Sequence, residues 1–135
     1  MRKLAVLALV VLAACRSTVG LTMTAGYAEV SPTVAGVMIT DTNQVVVIDV
    51  RSAEAYHGPE GHIAGALSAP FDSIEKQLPE LLPYQNQTVL VYGQTSTDGA
   101  LAAKLLAVAG FRNVVHIEGG IDAWIARGYR TVNAR

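Results

Sequence analysis

Val45-Val46-Val47-Ile48-Asp49-Val50 is the stretch on which the fold turns. Its five aliphatic residues are all β-branched and do not alternate with polar ones, the pattern of a strand covered on both faces in a mainly parallel sheet. Downstream, Thr88 to Tyr92 repeats the pattern and Val114 to Ile117 gives it a third time. Helical signals separate these runs. Asp72 with Glu75 has the spacing of a capping box for a helix from Ser73 to Leu82, interrupted or ended by Pro79 and Pro83. The Ala/Leu-rich segment Gly99 to Ala109 is closed by Gly110, and Ile121 to Arg127 is stopped by Gly128. Upstream, Tyr27 to Val30 could form a short strand, and Ser31-Pro32 supplies an N-cap and a first-turn proline for a helix toward Met38. Strands alternating with helices imply an α/β fold with parallel pairing and right-handed crossovers.

The 135 residues, 51% hydrophobic and 16% charged, suit one compact domain. Ten basic residues stand against eleven acidic ones, and no run of Lys or Arg follows Met1-Arg2-Lys3, which argues against a nucleic-acid groove. The single cysteine, Cys15, excludes an intrachain disulfide and an all-cysteine metal site. The positive start is followed by an unbroken apolar run, Leu4 to Ala14, laid out as a secretory signal. At eleven residues it is about half of what a helix needs to cross a bilayer. Its end, Leu12-Ala13-Ala14-Cys15, resembles a bacterial lipobox; the resemblance implies cleavage before Cys15 and lipid on its sulfur and new amino group. An ordinary signal peptide with an incidental cysteine is the alternative. Arg16 to Gly26, rich in Ser, Thr and Gly, reads as a tether. The expected organisation is therefore a lipoprotein signal over 1–14, a tether with lipidated Cys15 over 15–26, and a domain over 27–135 held on a membrane of the cell envelope, outside the cytoplasm.

Several residues invite a chemical reading. Asp49 and Arg51 stand at the carboxyl end of a buried strand, where ligand sites of open α/β sheets gather, although an ion pair fastening neighbouring loops uses the same residues. His62, between Gly61 and Ile63, reads as a hydrogen-bonded packing residue more readily than as a general base. Trp124 is expected to pack its helix on the sheet. Gly93-Gln94-Thr95-Ser96-Thr97-Asp98 is a small, polar loop leading from a strand into a helix N-terminus. No cofactor and no metal is implied.

From Tyr27 to Tyr129 the order of elements resembles the rhodanese homology domain. The resemblance rests on Val47-Ile48-Asp49-Val50-Arg51 followed by Glu54 and Tyr56, on Gly61-His62-Ile63-Ala64-Gly65-Ala66 ending at Pro70, and on Glu118-Gly119-Gly120-Ile121-Asp122-Ala123-Trp124 closed by Gly128-Tyr129. One departure is His57-Gly58-Pro59-Glu60, longer by one or two residues than the common pattern. The resemblance implies a single rhodanese-like α/β domain with a mainly parallel five-stranded sheet flanked by helices on both faces. It also implies that in active members a cysteine follows the Thr88–Tyr92 strand and its sulfur is wrapped in backbone N–H groups. Here that position is Gly93, which carries no nucleophile, and the arginine common near the loop's end is replaced by Asp98. A carboxylate there repels thiosulfate, and φ > 0 at Gly93 is left open. The expectation is a non-catalytic module binding an unknown protein or a small anionic ligand; a sulfurtransferase with residual or altered activity and a structural envelope protein are the alternatives.

Overall fold

The β-branched runs at the centre of the sequence pair where their covered faces predict. The computed structural model describes residues 22–24, 26–41 and 44–133. Strand β3 (Val45–Asp49) lies parallel to β5 (Thr88–Tyr92), with Val45 opposite Thr88 and Asp49 opposite Tyr92. On one side β5 is followed by β6 (Asn113–Ile117) and β2 (Tyr27–Val30); on the other, β3 is followed by the two-residue β4 (Leu67–Ser68). All these pairings are parallel, giving the five-stranded parallel sheet that the family resemblance implies.

Helices cover both faces because successive residues of a strand point to opposite sides and each side here is apolar. Ile48, Val89 and Val91 face α3 (Ile74–Leu81) and α4 (Thr97–Val108), whose Ile74, Ala103 and Leu106 complete one core. Val47, Leu90 and Ile117 face α1 (Pro32–Asp41) and α5 (Gly120–Ala126), where Ala35, Ile121 and Trp124 complete the other. A short helix, α2 (Ala53–Tyr56), follows β3, and Ser52 Oγ caps it by accepting from Ala55 N at 3.1 Å. Ser31 Oγ accepts from Val34 N at 3.3 Å, so α1 begins at Pro32; it runs on to Asp41.

Two local readings need correction. Three residues placed in the tether, Thr22–Thr24, form a strand, β1, antiparallel to β2 with Thr22 opposite Glu29 and Thr24 opposite Tyr27. The chain thus joins the sheet before Tyr27, because main-chain hydrogen bonding along the edge of β2 does not require an apolar sequence. The Asp72–Glu75 capping box does not form either. A 3₁₀ turn, Phe71–Ser73, precedes α3, and no side chain caps either element. Pro79 is accommodated inside α3. Cys15 and the apolar run 4–14 lie outside the described residues.

Candidate functional site

The carboxyl ends of β3 and β5 carry a buried polar network. Asp49 and Tyr92 are register partners, and the Tyr92 hydroxyl donates to Asp49 Oδ2 at 2.7 Å. Arg51 clamps the same carboxylate: its Nε lies 3.1 Å from Oδ1 and its Nη2 2.7 Å from Oδ2, while its backbone N–H reaches Oδ1 at 2.9 Å. Asp49 is fully buried and Arg51 nearly so. Such a pair is tolerated only when its remaining lone pairs and protons are satisfied. The second motif supplies the partners: Arg51 Nη2 donates to the Gly61 carbonyl at 2.6 Å, and Ile63 N donates to the Tyr92 oxygen at 3.0 Å. Burial, with the Asp49 charge beside it, pushes the Tyr92 phenol far above its ordinary value, so it remains a donor. This network joins two strands to the 61–63 segment.

His62 belongs to the same scaffold. Its Nδ1 lies 2.9 Å from the Tyr56 carbonyl, which can only accept, so that nitrogen carries the proton. Its ring stacks on Tyr56 at 3.7 Å, and the Tyr56 hydroxyl donates to Ala66 O at 2.7 Å. Trp124 packs against Tyr129 and donates from Nε1 to Arg130 O at 3.0 Å.

The loop itself, Gly93 to Asp98, is held from the α5 side. Ile121 N donates to Gly93 O at 2.9 Å and Asp122 N to Gln94 O at 3.2 Å, while Ser96 Oγ accepts from Gly119 N at 2.8 Å. Gly120, at φ +62°, is where glycine is indispensable: a Cβ there would lie 2.6 Å from Thr95 O, 2.7 Å from Gln94 O and closer still to Gly93 O. Three successive carbonyls of the loop, those of Gly93, Gln94 and Thr95, thus turn toward Gly120 at the start of α5. The third motif therefore shapes the loop. Gly93 is buried and its φ lies outside the left-handed region; a Cβ on it would point at Gly99 N, 3.1 Å away.

Acidic groups surround this end of the sheet. Gln94 Nε2 donates to Asp122 Oδ1 at 2.6 Å and to Glu60 Oε1 at 3.3 Å, so the enlarged 57–60 loop is clasped to the 93–98 loop. Between β3 and α4 an open groove of about 300 Å³ is lined by residues including Arg51, Phe71, Asp72 and Asp98. Among the described residues no group of three or more His, Cys, Asp or Glu could hold a metal ion.

His116 was missed by the sequence reading, because it sits inside a strand run. It is paired with Val91 and fully buried beneath Gly99 of α4. Its Nδ1 lies 3.2 Å from Glu29 Oε1; its Nε2 has no hydrogen-bond partner and lies 2.8 Å from where a Cβ on Gly99 would be. Burial lowers its pKa below 6.5, opposed by the hydrogen bond and charge of Glu29 and by the charge of Glu118. The folded state thus binds fewer protons at this ring than the unfolded chain. The corresponding stability is present above about pH 6.5 and is lost as pH falls toward the depressed folded value. Urea denaturation at pH 7.5 and pH 5 should show a smaller acid loss for His116→Gln than for wild type; equal losses would show that His116 is not the group responsible.

Comparison with known proteins agrees with this geometry. Residues 31–127 match the family model described as a rhodanese-like domain. The chain belongs to the rhodanese-like family. An uncharacterised protein of Synechocystis is 33% identical over 92 residues, covering 67% of this chain and 49% of the relative. The chain thus spans about half the length of that relative. The thiosulfate sulfurtransferase PspE of Escherichia coli is 29% identical over 72 residues, 53% of this chain and 67% of PspE. The solution structure of a rhodanese-like domain from an Anabaena protein superimposes with a TM-score of 0.68 at 26% identity, covering 82% of this chain and 81% of that one.

Proposed function

We propose that this chain is a rhodanese-like module without sulfur-transfer chemistry, anchored to a membrane through lipid on Cys15, and that it acts by binding at the carboxyl end of its sheet. One observation carries the reading: the residue at the exit of β5, whose Cβ position would lie 3.1 Å from Gly99 N in the first turn of α4, is Gly93, and no residue after Cys15 is a cysteine. A persulfide needs a sulfur on the chain, and glycine offers none. The hydroxyls do not replace it. Ser96 Oγ accepts from Gly119 N, Thr95 and Thr97 are exposed, and neither buried histidine is bonded to a loop hydroxyl.

Full-length protein carrying Cys15→Ser is expected to form no thiocyanate from thiosulfate and cyanide above background. Turnover by that variant would overturn the reading. A second reading is favoured by β1: Thr22 lies opposite Glu29, toward the carboxyl end of β2, so the chain enters on the loop's side of the sheet. Cys15 is seven residues earlier, within a reach of about 25 Å. An unlipidated Cys15 could then serve as a mobile thiol, and turnover present in wild type but abolished by Cys15→Ser would select that alternative.

The anchor has its own test. Intact-mass measurement of the native protein is expected to show an N-terminus at Cys15 bearing two or more acyl chains. Each buried CH₂ contributes about 0.8 kcal/mol to membrane retention, so two chains hold stably where one does not. An unmodified mature N-terminus, with the protein in the aqueous phase after detergent partition, would sink the assignment.

A further inference from the structure

We propose that the groove between the exit of β3 and the first turn of α4 receives the side chain of an arginine or lysine presented by a basic segment of a partner protein. This rests on the binding reading above and names the chemistry of the partner. The groove, about 300 Å³, is lined by the apolar Val50, Pro70 and Phe71 together with Ser52, Asp72 and Asp98. Its one lining cation, Arg51, is already spent: the guanidinium is bound to Asp49 at 2.7 Å and to the Gly61 carbonyl at 2.6 Å. The two remaining carboxylates have no side-chain partner. Asp72 and Asp98 take part in no hydrogen bond or ion pair among the described residues. Asp72 lies inside the 3₁₀ turn that precedes α3, caps neither element and lines the groove.

That combination selects a particular ligand shape. A long cationic side chain can lay its methylene stem on an apolar surface while its head stays polar, and an aromatic ring such as Phe71 adds attraction for the charge. A guanidinium or ammonium group then meets two carboxylates at once, where a small anion meets two repulsions. The groove is not enclosed, so a side chain projecting from an extended segment enters without the fold having to part.

The test is calorimetric titration of the intact chain with acetyl-Gly-Arg-Gly-Arg-Gly-amide and with the same peptide carrying citrulline, which keeps shape and loses charge. The arginine peptide should bind in a salt-dependent way and the citrulline peptide at least about tenfold more weakly. Asp72→Asn and Asp98→Asn should each weaken binding by about threefold to tenfold, and the pair by more than either alone. Asp41→Asn, in a different cavity at the amino-terminal end of β3, should leave it unchanged. Equal binding of the two peptides, indifference to Asp72→Asn with Asp98→Asn at an unchanged melting temperature, or tighter binding of thiosulfate than of the arginine peptide would each overturn the proposal. A partner lost on substitution of the 93–97 loop but retained by the double Asn variant would overturn it too, while leaving the binding reading of the domain standing.

Discussion

Arg51→Met should destabilise the domain by about 3 to 5 kcal/mol, a large part of the folding free energy of a chain this size. The loss comes less from the ion pair itself than from what remains. With the guanidinium gone, Asp49 stays fully buried with Tyr92 OH and the residue 51 amide as its partners, and the Gly61 carbonyl loses its donor. An unpaired carboxylate in a low-dielectric site is what the fold cannot tolerate. The double variant Arg51→Met with Asp49→Leu should therefore be more stable than the sum of its single losses, because it removes the stranded charge. Tyr92→Phe is the comparison for a neutral group: it deletes one donor to Asp49 and one acceptor for Ile63 N, and should cost about 1 to 3 kcal/mol. Urea denaturation of the wild type, Arg51→Met, Asp49→Leu, the double variant and Tyr92→Phe reads all these values. A loss below about 1 kcal/mol for Arg51→Met, or strict additivity in the double variant, would show that this network is not buried as described.

The same residues show how far sequence reached. β3 and β5 were legible because a doubly covered strand leaves an unalternating β-branched run, and Thr88–Tyr92 is found with the bounds its composition suggests. β1 was not, since Thr22-Met23-Thr24 in a Ser/Thr/Gly-rich stretch carries no period, and its pairing is made by main chain. β4, with two residues, is too short for any period to register. Within the site, the nearness of Asp49 and Arg51 was visible in sequence, but their partners were not. Gly61 is ten residues from Arg51 and Tyr92 is forty-three from Asp49, so their hydrogen bonds depend on tertiary placement. Tyr92 was hidden further by standing at the end of an apolar run, where its ring predicts burial and its hydroxyl goes unread. The capping box failed for a related reason: local spacing gave Asp72 a partner, and the 3₁₀ turn at Phe71–Ser73 turned the start of α3 away from it.

Gly93→Cys combined with Asp98→Arg is expected to give thiosulfate turnover where the native chain gives none. The substitution is sterically close to possible: Gly93 does not occupy the left-handed region, so a Cβ brings no intrinsic backbone strain. It does bring a tight approach, 3.1 Å to Gly99 N and 3.5 Å to the Asp98 Cβ, which a shift of a few tenths of an ångström in the first turn of α4 would relieve. Placed there, the sulfur stands beside backbone N–H groups at a helix N-terminus, which favour a thiolate and lower its pKa below the ordinary value near 8.5. Asp98 works against this by raising the thiol pKa and repelling the incoming dianion. At about 4 Å two unit charges interact by roughly 1 to 4 kcal/mol, so reversing that charge should raise turnover by about an order of magnitude or more over Gly93→Cys alone. The gain should be non-additive, because Asp98→Arg without a thiol has nothing to activate. Thiol pKa, melting temperature and thiocyanate formation for the single and double variants decide the matter. A folded double variant with a thiol pKa near 8.5 and no turnover would mean that the 93–98 loop, though shaped by Gly120 and continued by α4, does not cradle a sulfur.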